Sequence, residues 1–291
     1  MSKAISKSQL KVITKAINKH YPSSYADSSW DNTGLLIDCS KNENVTTEVK
    51  KPLVLLTVDL TSSVAQEAIE RDCNVILAYH PFIFPSWKNL NPSRNSQHDS
   101  AIKLIQQGIS VYCPHTAVDA AKDGVNDWLS HGLVAHERTM IASSESIESI
   151  KDKPINGEDS TEVGYGRLVK LASPLTLKQV IKNVKNSLGI DHLQVASHYE
   201  PANHSIKTIA LCAGSGSGVF RSLREDVDLY YTGELSHHEI LKYKEMGKSV
   251  IICNHSNTER GYLREQMCHI LKSEGVDCIV SENDKDPLNV V

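Results

Sequence analysis

Three histidines in this sequence stand directly after short apolar runs, and two of them are followed four residues later by a carboxylate. In Cys253-Asn254-His255-Ser256-Asn257-Thr258-Glu259 a strand ends and a helix begins, so His255 and Glu259 share one helical face, about 5–6 Å apart at Cβ. An imidazole and a carboxylate so placed can grip one metal ion. A first-turn glutamate favoured by the helix dipole would account for Glu259 alone. Tyr79-His80-Pro81 follows the apolar run Val75-Ile76-Leu77-Ala78, and proline stops the strand there. Pro114-His115-Thr116-Ala117-Val118-Asp119 repeats the spacing, with His115 and Asp119 after the run 109–113. Together the clusters supply imidazole and carboxylate without thiolate, a donor set suited to Zn, Mn, Fe or a pair of them in an open hydrolytic site. A carboxylate such as Asp119 can bridge two ions about 3.5–4 Å apart with water between them.

Three further junctions are polar. Ser29-Trp30-Asp31-Asn32-Thr33-Gly34 reads as an Asx turn ahead of a strand, with Gly34 relaxing the backbone. Cys212-Ala213-Gly214-Ser215-Gly216-Ser217-Gly218 follows a strand and precedes a helix, as a phosphate-cradling loop would. Val219 stands where the third glycine of a dinucleotide fingerprint belongs, and the Gly-Lys-Ser/Thr of a P-loop is missing, so a tight strand-to-helix turn fits better. Thr232-Gly233-Glu234-Leu235-Ser236-His237-His238-Glu239 offers substrate contacts or a proton shuttle, although adjacent helical histidines point about 100° apart and only one faces inward. No Gly-x-Ser-x-Gly elbow marks a serine nucleophile.

The elements that must position these residues alternate as in an α/β protein. Residues 34–38, 53–59, 75–79 and 109–113 read as strands, with helices at 62–72 and 99–107. Residues 81–98 read as a loop at a strand's carboxyl end, where α/β proteins place their sites. Residues 138–160, rich in serine, acids and lysine, read as a surface linker. Strands then fall at 164–171, 193–196, 206–212, 227–231, 249–253 and 277–280, with helices at 176–188, 218–224, 236–244 and 256–272. If His80, Asp119, His255 and Glu259 converge, the last helix must return to the first domain. The metal-binding domain is then residues 1–129 plus 249–291, with 130–248 inserted as a second α/β domain.

Composition excludes several classes. The 291 residues are 40% hydrophobic and 23% charged, enough apolar matter for a packed core and so incompatible with global disorder. No apolar run reaches the roughly 20 residues of a membrane span. A net charge of −4 gives a general nucleic-acid binder no encouragement. The seven cysteines are odd in number, never spaced C-x-x-C and set in apolar runs, which reads as reduced thiols in the cytoplasm. The lysine-rich start, with no acid before Asp27, reads as a solvated amphipathic helix; a mitochondrial presequence is the alternative.

The ordered set Trp30-Asp31-Asn32-Thr33-Gly34-Leu35, Tyr79-His80-Pro81, Pro114 to Asp119, Gly214-Ser215-Gly216, Thr232 to His238 and Asn254 to Glu259 resembles the NGG-interacting-factor-three family, also labelled GTP cyclohydrolase type-two-like. The resemblance runs from about residue 8 to the C-terminus and is to a compact fungal member. It implies two interleaved α/β domains with mixed sheets, the second inserted into the first, a ring-shaped homohexamer, and two divalent metal ions per chain. The ligands it implies are His80, Asp119, His255 and Glu259. Many bacterial members have His-His where this chain has Tyr79-His80; phenol replaces imidazole poorly, so one metal position is implied to be weaker or open to water. The activity implied is hydrolysis of a nucleotide or another phosphorylated small molecule, with GTP ring opening as one form: His115 or His237 would shuttle protons and Glu234 would orient substrate. The alternative it implies is a non-catalytic regulatory factor that binds a transcriptional coactivator component, its metals structural. A metal-dependent nucleic-acid processing factor is the remaining class.

Overall fold

The computed structural model describes residues 2–45, 49–84, 86–150 and 159–291. The chain divides into two units, Met1–Val118 with Leu263–Lys285, and Asp119–Tyr262 with Asp286–Val291. The sequence reading placed residues 119–129, 249–262 and 286–291 with the first unit; they fall in the second. The strand at Ser249–Ile252 is held there by pairing in register with the strand at Leu229–Glu234.

The first unit is built on five strands, β1 (Gly34–Ile37), β2 (Leu53–Thr57), β3 (Val75–Ala78), β4 (Ser110–Cys113) and β11 (Asp277–Val280), in the order β1-β4-β3-β2-β11. β4, β3, β2 and β11 run parallel and β1 antiparallel. β3 and β4 are buried at every residue, as a strand covered on both faces must be. Helices α1 (Lys7–His20), α2 (Ser62–Glu70) and α3 (Ser96–Gln107) belong to this unit. α1 starts at a Ser6–Gln9 capping box, buries Leu10, Ile13, Ala16 and Ile17 on one stripe, and ends in Lys19 and His20, which suit the negative end of its dipole. Leu55, Ile76, Val64, Ala68, Leu104 and Val111 form the core.

The second unit carries six strands, β5 (Ile141–Ser149), β6 (Gly164–Thr176), β7 (Gln194–Ala196), β8 (Ser205–Ser215), β9 (Leu229–Glu234) and β10 (Ser249–Ile252), in the order β5-β6-β8-β9-β10-β7. β8, β9 and β10 are parallel neighbours; the other pairings are antiparallel. The stretch read as a linker contains β5, whose polar, half-buried side chains suit an edge strand paired to β6 on one side. Residues 151–158 of that stretch lie outside the described residues.

The helix α5 (Val125–Leu133) was not anticipated. α6 (Leu177–Leu188) and α8 (His237–Glu245) follow expectation, each opening on a capping box. The helix expected at 218–224 shrinks to α7 (Ser217–Phe220). That expected at 256–272 is interrupted: α9 (Asn257–Tyr262), a π turn (Leu263–Met267), then α10 (Cys268–Ser273). The short α4 (Thr116–Ala120) precedes α5. Among the described residues no helix is long and apolar enough to cross a membrane.

Candidate metal centre

Parallel strands end on the same edge of a sheet, so side chains just past their last residues are gathered by topology alone. In the first unit β2 leads to Asp59, β3 to Tyr79 and His80, and β4 to His115. Backbone bonds carry β3 onward, Tyr79 N–H to the Thr57 oxygen at 2.8 Å and His80 N–H to the Val58 oxygen at 3.0 Å. His80 Nδ1 meets Asp59 Oδ1 at 2.9 Å, which orients the ring and leaves Nε2 as the other ring nitrogen. His115 Nδ1 meets Asp31 Oδ1 at 2.7 Å. The second oxygen of Asp31 accepts from the Thr116 hydroxyl and backbone N–H. Burial raises the Asp31 carboxyl, but the bonds from His115 and Thr116 outweigh it and hold the group below the ordinary 3.8. His115 sits at φ +28°, a strained backbone for a residue with a Cβ. The His80 and His115 rings meet edge to face, centroids 5.5 Å apart, and buried Tyr79 packs edge-on to both at 5.4 and 5.9 Å. Exposed Trp30 closes over His115 at 5.8 Å and touches exposed Phe84 at 6.2 Å.

The second unit repeats the device. β8 carries Gly214, β9 ends on Glu234, and His255 follows β10. His255 Nδ1 meets Glu234 Oε1 at 2.7 Å, and its Nε2 lies 3.4 Å from Glu259 Oε1. Glu259 is buried, at 3% side-chain exposure, while His255 is 38% exposed, so the pair opens to solvent on the imidazole side. Gly214, at φ +60°, presses its backbone against the pair: a Cβ there would stand 2.7 Å from His255 Nε2 and 2.8 Å from Glu259 Oε1. Its N–H donates to Thr258 Oγ1 at 2.8 Å, and that hydroxyl donates to the His255 carbonyl at 2.6 Å. Gly233 is equally confined, a Cβ falling 2.6 Å from the Gly214 oxygen and 2.8 Å from His255 Cα. The glycine-rich turn therefore shapes the wall behind the His/Glu pair. Asp119 is tied to this unit through its carbonyl, which accepts from Asn126 Nδ2 at 2.9 Å, while Asn126 Oδ1 accepts from Ala213 N–H at 2.9 Å. Burial, then the carboxylates of Asp119 and Glu259, push the Cys212 thiol well up.

Of the expected site residues, the first unit brings His80 and His115 ring to ring. The second brings Glu234, His255 and Glu259 together, His255 hydrogen-bonded to Glu234 and 3.4 Å from Glu259. Glu234 reaches an imidazole here. His237 stands exposed at the head of α8, edge-on to His238 at 5.4 Å. Sequence reasoning gave no site role to Asp31 and Asp59 of the first unit or to Gly214 of the second. Asp59 carried a usable signal, a carboxylate at the end of an apolar run; Asp31 was read within an Asx turn, and Gly214 within a tight strand-to-helix turn.

The residues fit a metal on two counts: the donor set is imidazole and carboxylate, and Gly214 keeps clear a space that any Cβ would fill. The fold and site thus define an α/β protein with two mixed sheets and a His/Glu pair suited to a divalent ion. The chain belongs to the family described as Duf34/NIF3 (NGG1p interacting factor 3), whose profile matches residues 8–287. It is 57% identical over 294 residues to "NGG1-interacting factor 3" of Saccharomyces cerevisiae, with all of both chains covered. It is 43% identical over 298 residues to "Protein NIF3 homolog" of Schizosaccharomyces pombe, again over the whole of both. Among solved structures, the Staphylococcus aureus hypothetical protein SA1388 superposes with a TM-score of 0.77 at 25% identity, covering 99% of this chain and 100% of that one.

Proposed function

We propose that this chain is a metal-dependent hydrolase acting on a nucleotide or another phosphorylated small molecule, with His80, Asp119, His255 and Glu259 as ligands of two divalent ions. The observation that carries the reading is the His255–Glu259 pair, oriented by Glu234 and kept accessible by Gly214. His255 and Glu259 of the second unit form the stronger donor set, an imidazole and a carboxylate. Tyr79, a phenol in place of a second imidazole, leaves the other position the weaker one. A bound divalent ion supplies Lewis acidity and lowers the pKa of water. The protein's own groups do the rest. Asp59 and Glu234 hold protons on Nδ1 of His80 and His255, so that each Nε2 is a lone-pair donor. Asp31 grips His115 at Nδ1, which leaves Nε2 as the atom that carries a proton to or from substrate.

The test is metal content per chain in untagged protein purified without chelator, beside His255→Ala, followed by a nucleotide-hydrolysis screen of the metal-loaded protein. About two ions per chain, lost in the variant, with turnover lost alongside, is the expected result. Near-zero metal in both proteins, with the fold intact, would sink the catalytic reading. A second reading rests on the name of the S. cerevisiae relative, which records a protein partner. In that case the chain is a regulatory factor with a structural metal, and His255→Ala lowers thermal stability and partner capture together.

A further inference from the structure

Two cysteines outside the metal centre are placed for chemistry. Cys268 opens α10 and Cys278 lies in β11, and both are buried free thiols. Their sulfurs are 3.5 Å apart. Each thiol also faces the other's carbonyl: Cys278 Sγ donates to the Cys268 oxygen at 3.4 Å, and Cys268 Sγ to the Cys278 oxygen at 3.8 Å. The two side chains therefore already point at one another across the turn that joins helix to strand. A further approach of about 1.5 Å brings them to bonding distance.

We propose that Cys268 and Cys278 form a reversible dithiol–disulfide couple, a modification site that staples α10 to β11 when a small-molecule disulfide such as oxidised glutathione is the oxidant. One cysteine thiolate attacks a glutathione sulfur, and the first glutathione leaves as its thiolate. The second cysteine then attacks the protein sulfur of the mixed disulfide and expels the other glutathione. The two cysteines are oxidised, one glutathione disulfide is reduced to two thiols, and the two cysteine protons go to the leaving thiolates. Burial pushes the Cys278 thiol up to about 12, so exchange in the closed protein is slow and runs through local opening. The surroundings supply that opening. The π turn Leu263–Met267 interrupts the helix immediately before Cys268, and β11 is an edge strand whose sheet partner among the described residues is β2.

The full-length protein is incubated with oxidised glutathione, quenched in acid, alkylated under denaturing conditions and mapped by mass spectrometry. The expected product joins tryptic peptides 265–272 and 273–285 at two hydrogens less than their sum. Dithiothreitol reverses it, and the oxidised protein melts at a higher temperature. Cys268→Ser should instead trap Cys278 as the glutathione adduct. The proposal is overturned if both residues remain alkylatable in the wild type. It is equally overturned if glutathione accumulates on half-buried Cys39 while the pair stays reduced.

Discussion

A carboxylate behind each imidazole is the recurring unit of this molecule: Asp59 behind His80, Asp31 behind His115, Glu234 behind His255. A neutral imidazole offers one nitrogen as donor and one as acceptor, and the carboxylate decides which. Glu234→Gln should therefore weaken metal binding about 10–100-fold, read by competition with a chelating dye, because the amide no longer fixes the His255 ring. Unchanged affinity would mean that the contact does not orient the ligand. Gly214→Ala is the sharper experiment. Its methyl would occupy the space 2.7 Å from His255 Nε2 at a φ of +60°. Metal binding should fall further than in Glu234→Gln, and the backbone strain should cost about 1–2 kcal/mol in unfolding experiments. An alanine variant that binds metal normally would refute the role given to that glycine.

Elements in each unit are clamped by single buried charged side chains. In the first, Glu67 of α2 accepts from Ser281 Oγ and from the N–H groups of Glu282 at 3.0 Å and Asn283 at 3.2 Å, fixing the chain as it leaves β11. Burial raises its carboxyl, but these bonds and Arg71 outweigh that and hold it below the ordinary 4.5. A depressed folded pKa means the stabilisation is complete above pH 4.5 and is lost as pH falls through the lower folded value. Melting temperatures of wild type and Glu67→Gln, scanned from neutral to strongly acid pH, should differ most near neutrality and converge under acid. A constant gap would exclude Glu67 as the titrating clamp. In the second unit Arg167 of β6 forks onto Asp127 of α5 at 2.6 and 3.0 Å and reaches the Gly164 and Gly166 carbonyls at 2.7 and 2.8 Å. Arg167→Met should cost about 3–5 kcal/mol in urea unfolding, since Asp127 loses its partner. The sequence made the parallel strands legible, because fully buried strands read as continuous apolar runs. It did not reveal β5, whose serines and glutamates carry no strand propensity and pair only because β6 lies alongside. The three histidines were legible for the same reason as the strands; Asp31 and Gly214 were not, since their roles depend on residues far away in the chain.

At the scale of the whole molecule, the first sheet is assembled from both ends of the chain: β11, near the C-terminus, pairs with β2 through residues 277–280. Deleting residues 263–291 should leave β2 an unpaired edge, remove the partners of Glu67, and give an aggregating protein without a cooperative melt. A soluble, cooperatively folding deletion would show that β11 is dispensable.

The split first unit also bears on how the protein is made. A ribosome delivers residues in order at about 5–20 per second, so the stretch 119–262 takes on the order of ten seconds to appear. Throughout that interval the first sheet lacks β11 and the second can already gather its strands. Synthesis order therefore makes the inserted unit the earlier one to mature. A chain stalled or cut short before residue 277 presents β2 as an open template to its neighbours on the same messenger.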